Sequence, residues 1–408
     1  MRLELPLLAF VVLLVAGCAG VPRTTLQPVE ATAPGTHEVD MLVATTRTPS
    51  DVPGEVFGDG RGSSLSVENI VVSVPPDSVR KPGEVIYPKE NPGDPAREFV
   101  ATKIEPLDRA GVRRWYQRVA SPQKRVIIFV HGFNNSYEDA VLRFAQIRTD
   151  LTVNAAPVLF TWPSGGSVFD YLYDRDSANY SRDALEAIIE SVSANPNVED
   201  VTLLAHSMGG WLAMEAVRQL AIRHGHVPKK LSNIVLASPD IDFDVFFTQL
   251  NQIGDASRRI TIFTATDDVA LRVSRRIAGD TQRLGAIDIT RPSVRQALLS
   301  RGITAIDLSN GNSSDGLNHM NFADSPEMVK AIGRRLVAGD NISGSRPGFT
   351  DTVGATALGA AQGVGSAIGA GVAAPVAVIS PAARKRLRTQ LGKTEQAFRG
   401  SLLTATGQ

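Results

Sequence analysis

The chain has a single cysteine, Cys18, among 408 residues, so no intramolecular disulfide can form and no disulfide framework identifies its compartment. Charge of either sign is not in excess: 42 Lys and Arg stand against 42 Asp and Glu. That balance leaves no electrostatic footprint for nucleic acid or a strongly anionic partner, and a neutral substrate of modest size fits better. Histidine is scarce, with six residues, and no two have the helical ligand spacing with a nearby carboxylate that a metal site needs. A phosphate-cradling glycine loop is also missing. Neither a metal nor another cofactor is expected.

What is present begins with a leader. Arg2 precedes an apolar run from Leu5 to Val15, too short for a comfortable membrane span, which ends in Ala16-Gly17-Cys18. This reads as a secretory signal over residues 1–17. Val15-Ala16-Gly17-Cys18 resembles the bacterial lipobox, whose cysteine is lipidated and becomes the mature amino terminus. The resemblance implies a membrane anchor at Cys18, and Ala19 after it implies sorting to the outer membrane, facing the periplasm. Residues 18–37, rich in Pro, Thr and Ala, read as a flexible tether. Residues 38–340 read as the folded domain. Residues 341–408 form a low-complexity tail: Thr352–Ala383 is dominated by Gly and Ala without a charge, and Arg384, Lys385, Arg386 and Arg388 follow.

Within the domain, Val39–Thr46, Ile70–Val74 and Phe99–Ile104 read as antiparallel strands opening a sheet. From Arg125 onward apolar strand-length runs alternate with helical patterns. The strands are Val126–Val130, Pro157–Thr161, Val201–Ala205, Asn233–Ala237, Arg259–Ala265 and Ile303–Leu308. The helices include Tyr137–Leu151, Ser181–Ser193 and Met208–Arg223. Such alternation predicts an α/β fold, a mostly parallel central sheet flanked by helices. Trp162–Asp176 reads as a loop whose Trp162, Tyr171 and Tyr173 either line a pocket or pack a surface.

Chemistry concentrates at Val201-Thr-Leu-Leu-Ala-His206-Ser207-Met208-Gly209-Gly210, where a strand meets a helix with no room for a loop. A serine at such a junction stands clear of the sheet edge, provided that its neighbours two positions away are small. Ala205 and Gly209 satisfy this, Ala205 with one methyl more than the usual glycine. Serine is a poor nucleophile alone and needs a base that an acid orients. With a nucleophile so placed, the acid follows it and the histidine comes last. His319 lies in a loop after the last predicted strand, whereas His224 and His226 end the nucleophile's own helix. Asp268 is the first choice of acid. Asp267 beside it, and Asp240 or Asp242 after the preceding strand, are alternatives. The amides of Met208 and Phe133 are the candidate oxyanion donors, the latter in His131-Gly132-Phe133-Asn134 after the strand Val126–Val130. His131 reads as a structural residue holding that loop, and Asn134 as a brace for it.

With these residues placed, Val39–Val337 resembles a family of bacterial α/β hydrolases of unknown function, often described as esterase- or lipase-like. The resemblance rests on Ile128-Phe-Val-His-Gly-Phe-Asn134, Phe160-Thr-Trp-Pro-Ser164, Leu204-Ala-His-Ser-Met-Gly209, Leu236-Ala-Ser-Pro-Asp-Ile-Asp242, Asp268-Val-Ala-Leu271 and Asn318-His319. It implies the α/β-hydrolase fold and a Ser-Asp-His triad without fixing a substrate. The expected activity is hydrolysis of a small-molecule or lipid ester through an acyl-enzyme. The competing expectation is an idle α/β-hydrolase scaffold that binds a partner at the envelope.

Overall fold

The computed structural model describes residues 26–30, 33–167, 170–309, 316–325, 329 and 333. The lipobox and the Gly/Ala-rich tail lie outside them. Nine strands form one sheet: β1 (His37–Pro49), β2 (Phe57–Val74), β3 (Val100–Pro106), β4 (Arg125–Val130), β5 (Ala156–Thr161), β6 (Asp200–His206), β7 (Leu231–Ala237), β8 (Ile260–Thr264) and β9 (Thr304–Asp307). Their order is β3-β2-β1-β5-β4-β6-β7-β8-β9. Only the β1–β2 and β2–β3 pairs are antiparallel, and β1 joins the parallel block through β5.

Strands β4 and β6 are buried along nearly their whole length, as strands covered on both faces must be. Val126, Ile128 and Val130 of β4 enter one core with helices Tyr171–Ala194, Met208–His224 and Phe243–Ile253. Ile127 and Phe129 point the other way, into a core shared with helix Tyr137–Asp150 and strands β1–β3. Period-two alternation thus divides the apolar residues between two layers.

From β4 the chain crosses to β5 on one side, and it later returns to β6 on the other. Strand order therefore reverses between β4 and β6, and the crevice beyond their carboxyl ends is where such sheets bind ligands. Val130 pairs in register with Ala205, so the loop after β4 and the turn after β6 leave the sheet at one level.

Two expectations need correction. The tether is docked over its described part: Leu26 and Val29 are buried, and the Val29 amide donates to Ala101 O at 2.9 Å. Apolar residues so close to the domain gain more from burial than they lose in chain freedom. The helix expected from Ser181 starts at Tyr171, so Tyr171 and Tyr173 stand on its first turn rather than in a loop.

Candidate active site

Ser207 joins β6 directly to helix Met208–His224 with φ 53° and ψ −123°. A non-glycine residue holds such a conformation only where its surroundings fix it. Here the backbone does so: Ser207 N–H donates to Ala237 O at 2.9 Å, and its carbonyl accepts from the amides of Gly210 at 2.9 Å and Asp240 at 3.0 Å. The glycines around the turn are steric requirements. A Cβ at Gly209 would collide with the carbonyl oxygens of His131 and Val130. One at Gly132 would lie 2.9 Å from Ser207 Cβ and 2.8 Å from His206 Nδ1, so the β4 loop presses directly on the serine. The Met208 amide opens the helix and has no acceptor within it.

His319 and Asp268 are brought together. Asp268 ends the loop after β8 as N-cap of helix Val269–Ile277, fully buried. Its Oδ1 accepts from Leu271 N–H at 2.9 Å and its Oδ2 lies 2.7 Å from His319 Nδ1. The other three carboxylates have other partners. Asp267 accepts from Asn318 Nδ2 at 3.1 Å. Asp240 accepts from Ser274 Oγ at 2.6 Å and Tyr171 OH at 2.9 Å and pairs with Arg283 at 3.2 Å, while Asp242 caps helix Phe243–Ile253.

A sequence model of the family described as "alpha/beta hydrolase of unknown function (DUF900)" matches residues 109–335, more than half of the chain. The chain belongs to this α/β-hydrolase family. An uncharacterized protein of Nostoc sp., alr1448, is 29% identical over 122 residues, covering 24% of this chain and 32% of that protein. The chain thus matches about a third of the length of that relative. Among solved structures, a Rhizomucor miehei esterase shares 13% identity at a TM-score of 0.32, covering 81% of this chain and 91% of its own. A Pyrobaculum calidifontis esterase shares 13% identity at a TM-score of 0.30, covering 80% and 89%. Scores of this size carry no argument; the family match carries the assignment.

In this α/β hydrolase three buried polar residues support the loops around the serine: His206 and Arg47, which were not singled out, and His131, which holds its loop as expected. His206, beside the serine, has its ring centroid 4.7 Å from that of His319, and its Nε2–H donates to His319 O at 3.3 Å. Burial first, and then the His319 charge, holds its pKa well below the ordinary histidine value. Its signal was adjacency to Ser207. His131 is stacked on the indole of Trp162 at 5.0 Å, and burial pushes its pKa down to about 3. It is therefore neutral: Nε2 accepts from Trp162 N–H at 3.1 Å and lies 3.0 Å from Thr161 Oγ1, which leaves Nδ1–H to donate to Gly132 O at 2.9 Å.

Arg47, from β1, completes a chain of bonds. Its Nε donates to Thr161 Oγ1 at 3.0 Å, so that hydroxyl's proton is directed at His131. Its other nitrogens donate to Asn135 O at 2.8 Å and Ser164 O at 3.1 Å. The guanidinium is buried, which lowers its pKa, and the field of Glu138 and Asp174 opposes that shift. The consequence falls on one peptide group. Gly132 C=O and Phe133 N–H belong to the same planar unit and point oppositely, so fixing the carbonyl aims the amide. Asn134 is not the brace expected. It turns the loop with a positive φ of 59° and ties it through its backbone amide, which donates to Asp174 Oδ2 at 3.3 Å, whereas it is the Asn135 side chain that donates to Phe133 O at 2.8 Å. Trp162 is wholly buried under His131 and lines no pocket, whereas Phe133 meets Tyr171 edge-on at 5.5 Å.

Proposed function

We propose that the chain is a serine hydrolase of carboxylic esters, held at the cell envelope by lipid on Cys18. The observation that carries this reading is the conformation of Ser207, left-handed at a strand–helix junction, whose neighbour His206 packs against the histidine of an Asp268–His319 pair. Asp268 bonds His319 at Nδ1, which leaves Nε2 as the nitrogen that takes the proton of Ser207 as it attacks an acyl carbonyl. The amides of Met208 and Phe133 hold the oxyanion, and the helix dipole opening at Met208 adds to their field. The imidazolium then protonates the leaving alcohol, and water attacks the acyl-serine by the same route in reverse. Esters of neutral character suit the balanced charge of the chain. On this reading the protein faces the periplasm from the outer membrane, with residues 38–340 as its catalytic domain.

A fluorophosphonate probe tests the reading. Wild type is expected to label, and Ser207→Ala to lose labelling and to hydrolyse p-nitrophenyl esters at least about a thousandfold more slowly. An unlabelled wild type, or equal labelling of the variant, would sink it and leave the scaffold as the alternative. Radiolabelled palmitate should enter wild type and fail to enter Cys18→Ser.

A further inference from the structure

Helix Val269–Ile277 starts at the residue that bonds His319, yet much of it faces outward. Leu271 and Ser274 are its buried side, and Ser274 bonds Tyr171 and Asp240. Val269, Val273 and Ile277 recur every fourth residue and so share one face. Of these, Val273 is 51% and Ile277 50% exposed. Two further exposed aliphatic residues flank the same helix. Leu317, whose carbonyl accepts from Val269 N–H, sits two residues before His319, and Leu172 follows Tyr171. Val273 and Ile277 thus lie on this helix, Leu317 on the segment bonded to its first residue, and Leu172 next in sequence to the tyrosine bonded to its Ser274.

The charged residues on the helix itself are all basic. Arg272, Arg275 and Arg276 are all exposed. Arg275 pairs with the exposed Asp280, and among the described residues Arg272 and Arg276 have no ion-pair partner. An aliphatic stripe bordered by arginines on one short helix matches the boundary of an anionic lipid layer, with methyl groups below the headgroups and guanidinium groups among the phosphates. It matches a protein partner less well, because a stable interface needs about 800 Å² from each side, more than a nine-residue helix edge presents.

We propose that this face docks the site onto an anionic phospholipid surface, so that the ester substrate is drawn from the lipid layer. The substrate clause rests on the hydrolase reading; the docking itself does not. Cys18 is the only cysteine, so in the full-length chain carrying Cys18→Ser an introduced thiol is unique. An environment-sensitive fluorophore is attached at Val273→Cys, at Ile277→Cys, or, as control, at Ile222→Cys, an exposed position on the nucleophile helix. Vesicles containing phosphatidylglycerol should raise emission several-fold, with a blue shift, at the first two positions and not at the third. Phosphatidylcholine alone, or Arg272→Glu with Arg276→Glu, should cut the response at least threefold. No change at 273 and 277, an equal change at 222, or a response that needs protein concentration rather than lipid would overturn the proposal. Fluorophosphonate labelling of the same samples separates the two ideas. Insertion without labelling removes the hydrolase reading alone, and labelling without insertion removes the docking alone.

Discussion

Ser207 and Phe133 follow β6 and β4, neighbours in the middle of the sheet, whereas Asp268 and His319 follow β8 and β9, the last two strands at one edge. In the central half the backbone itself is locked. Ser207 uses its amide and carbonyl on β7 and the loop after it, and the β4 loop is held from below by Arg47, Thr161 and His131. In the edge half the geometry hangs mainly on side chains, the Asp268–His319 bond and the ring of His206, with one backbone bond from Val269 to Leu317. The difference implies that damage to the edge half shows as lost activity, and damage to the central half as lost stability first.

Asp268→Asn is the sharpest way to break that comparison. Asparagine keeps an acceptor for Leu271 N–H, so the helix cap survives and the unfolding free energy should change by less than about 1 kcal/mol. It gives up the carboxylate that His319 Nδ1–H needs and favours the wrong tautomer, and kcat for p-nitrophenyl acetate should fall by about a thousandfold. Asp240→Asn is the counterpart. It leaves Arg283 uncompensated in a buried network, so about 2 kcal/mol of stability should be lost while activity changes by less than about tenfold. If Asp240→Asn proves the more damaging to activity, Asp268 is not the acid.

Arg47→Met attacks the central half. It deletes four hydrogen bonds, buried ones to Thr161 and Ser164 and part-buried ones to Asn135 and Gly58, and leaves Glu138 and Asp174 without their cation. Burial already pushes the carboxyl of Glu138 up to about 7 and that of Asp174 up to about 6. A loss of about 3 kcal/mol in urea unfolding is expected. Arg47→Lys should recover little of it, because an ammonium cannot reproduce the planar fork. A full rescue by lysine would show that charge alone, not geometry, is what the loop requires.

The same contrast explains what the sequence disclosed. Ser207 was legible because a strand, a serine and a helix in direct succession are a local pattern, and chain order then pointed to His319 and Asp268. Arg47 was not, since three of its four partners lie 88, 114 and 117 residues away and nothing near it announces them. The first ten residues of helix Tyr171–Ala194 escaped for a related reason. Asp174 and Ser177 are buried there, and Asp174 accepts from the Gly165 amide at 2.7 Å. A helix face that buries polar groups to satisfy a loop reads as a loop. Strand β2 was seen only over Ile70–Val74, because its first half, with Gly58, Gly60 and Gly62, pairs with β1 through register shifts that break the alternation.

His131 offers the finest test of how the central half is held. An unfolded histidine takes up a proton near pH 6.5, and the folded one refuses it until about 3. Between those values the unfolded chain binds more protons, so this residue's contribution to stability is full above about pH 6.5 and falls as the pH drops. By pH 4 the loss is about 2 to 3 kcal/mol, at 1.36 kcal/mol per pH unit discounted for relaxation of the site. Asp174 and Glu138, raised by burial, work in the opposite sense over about pH 4 to 7, so the wild-type profile alone cannot isolate the histidine. The difference between wild type and His131→Gln can. The variant should be less stable at pH 7, where it loses fitted bonds to Gly132, Thr161 and Trp162, and the gap should close by about 2 kcal/mol at pH 4. A gap that stays constant with pH would mean that the imidazole takes up its proton as readily in the folded chain as in the unfolded one. Its Nε2 would then repel the Trp162 amide, and the peptide of Phe133 would have to be aimed by Asn135 and Arg47 without it.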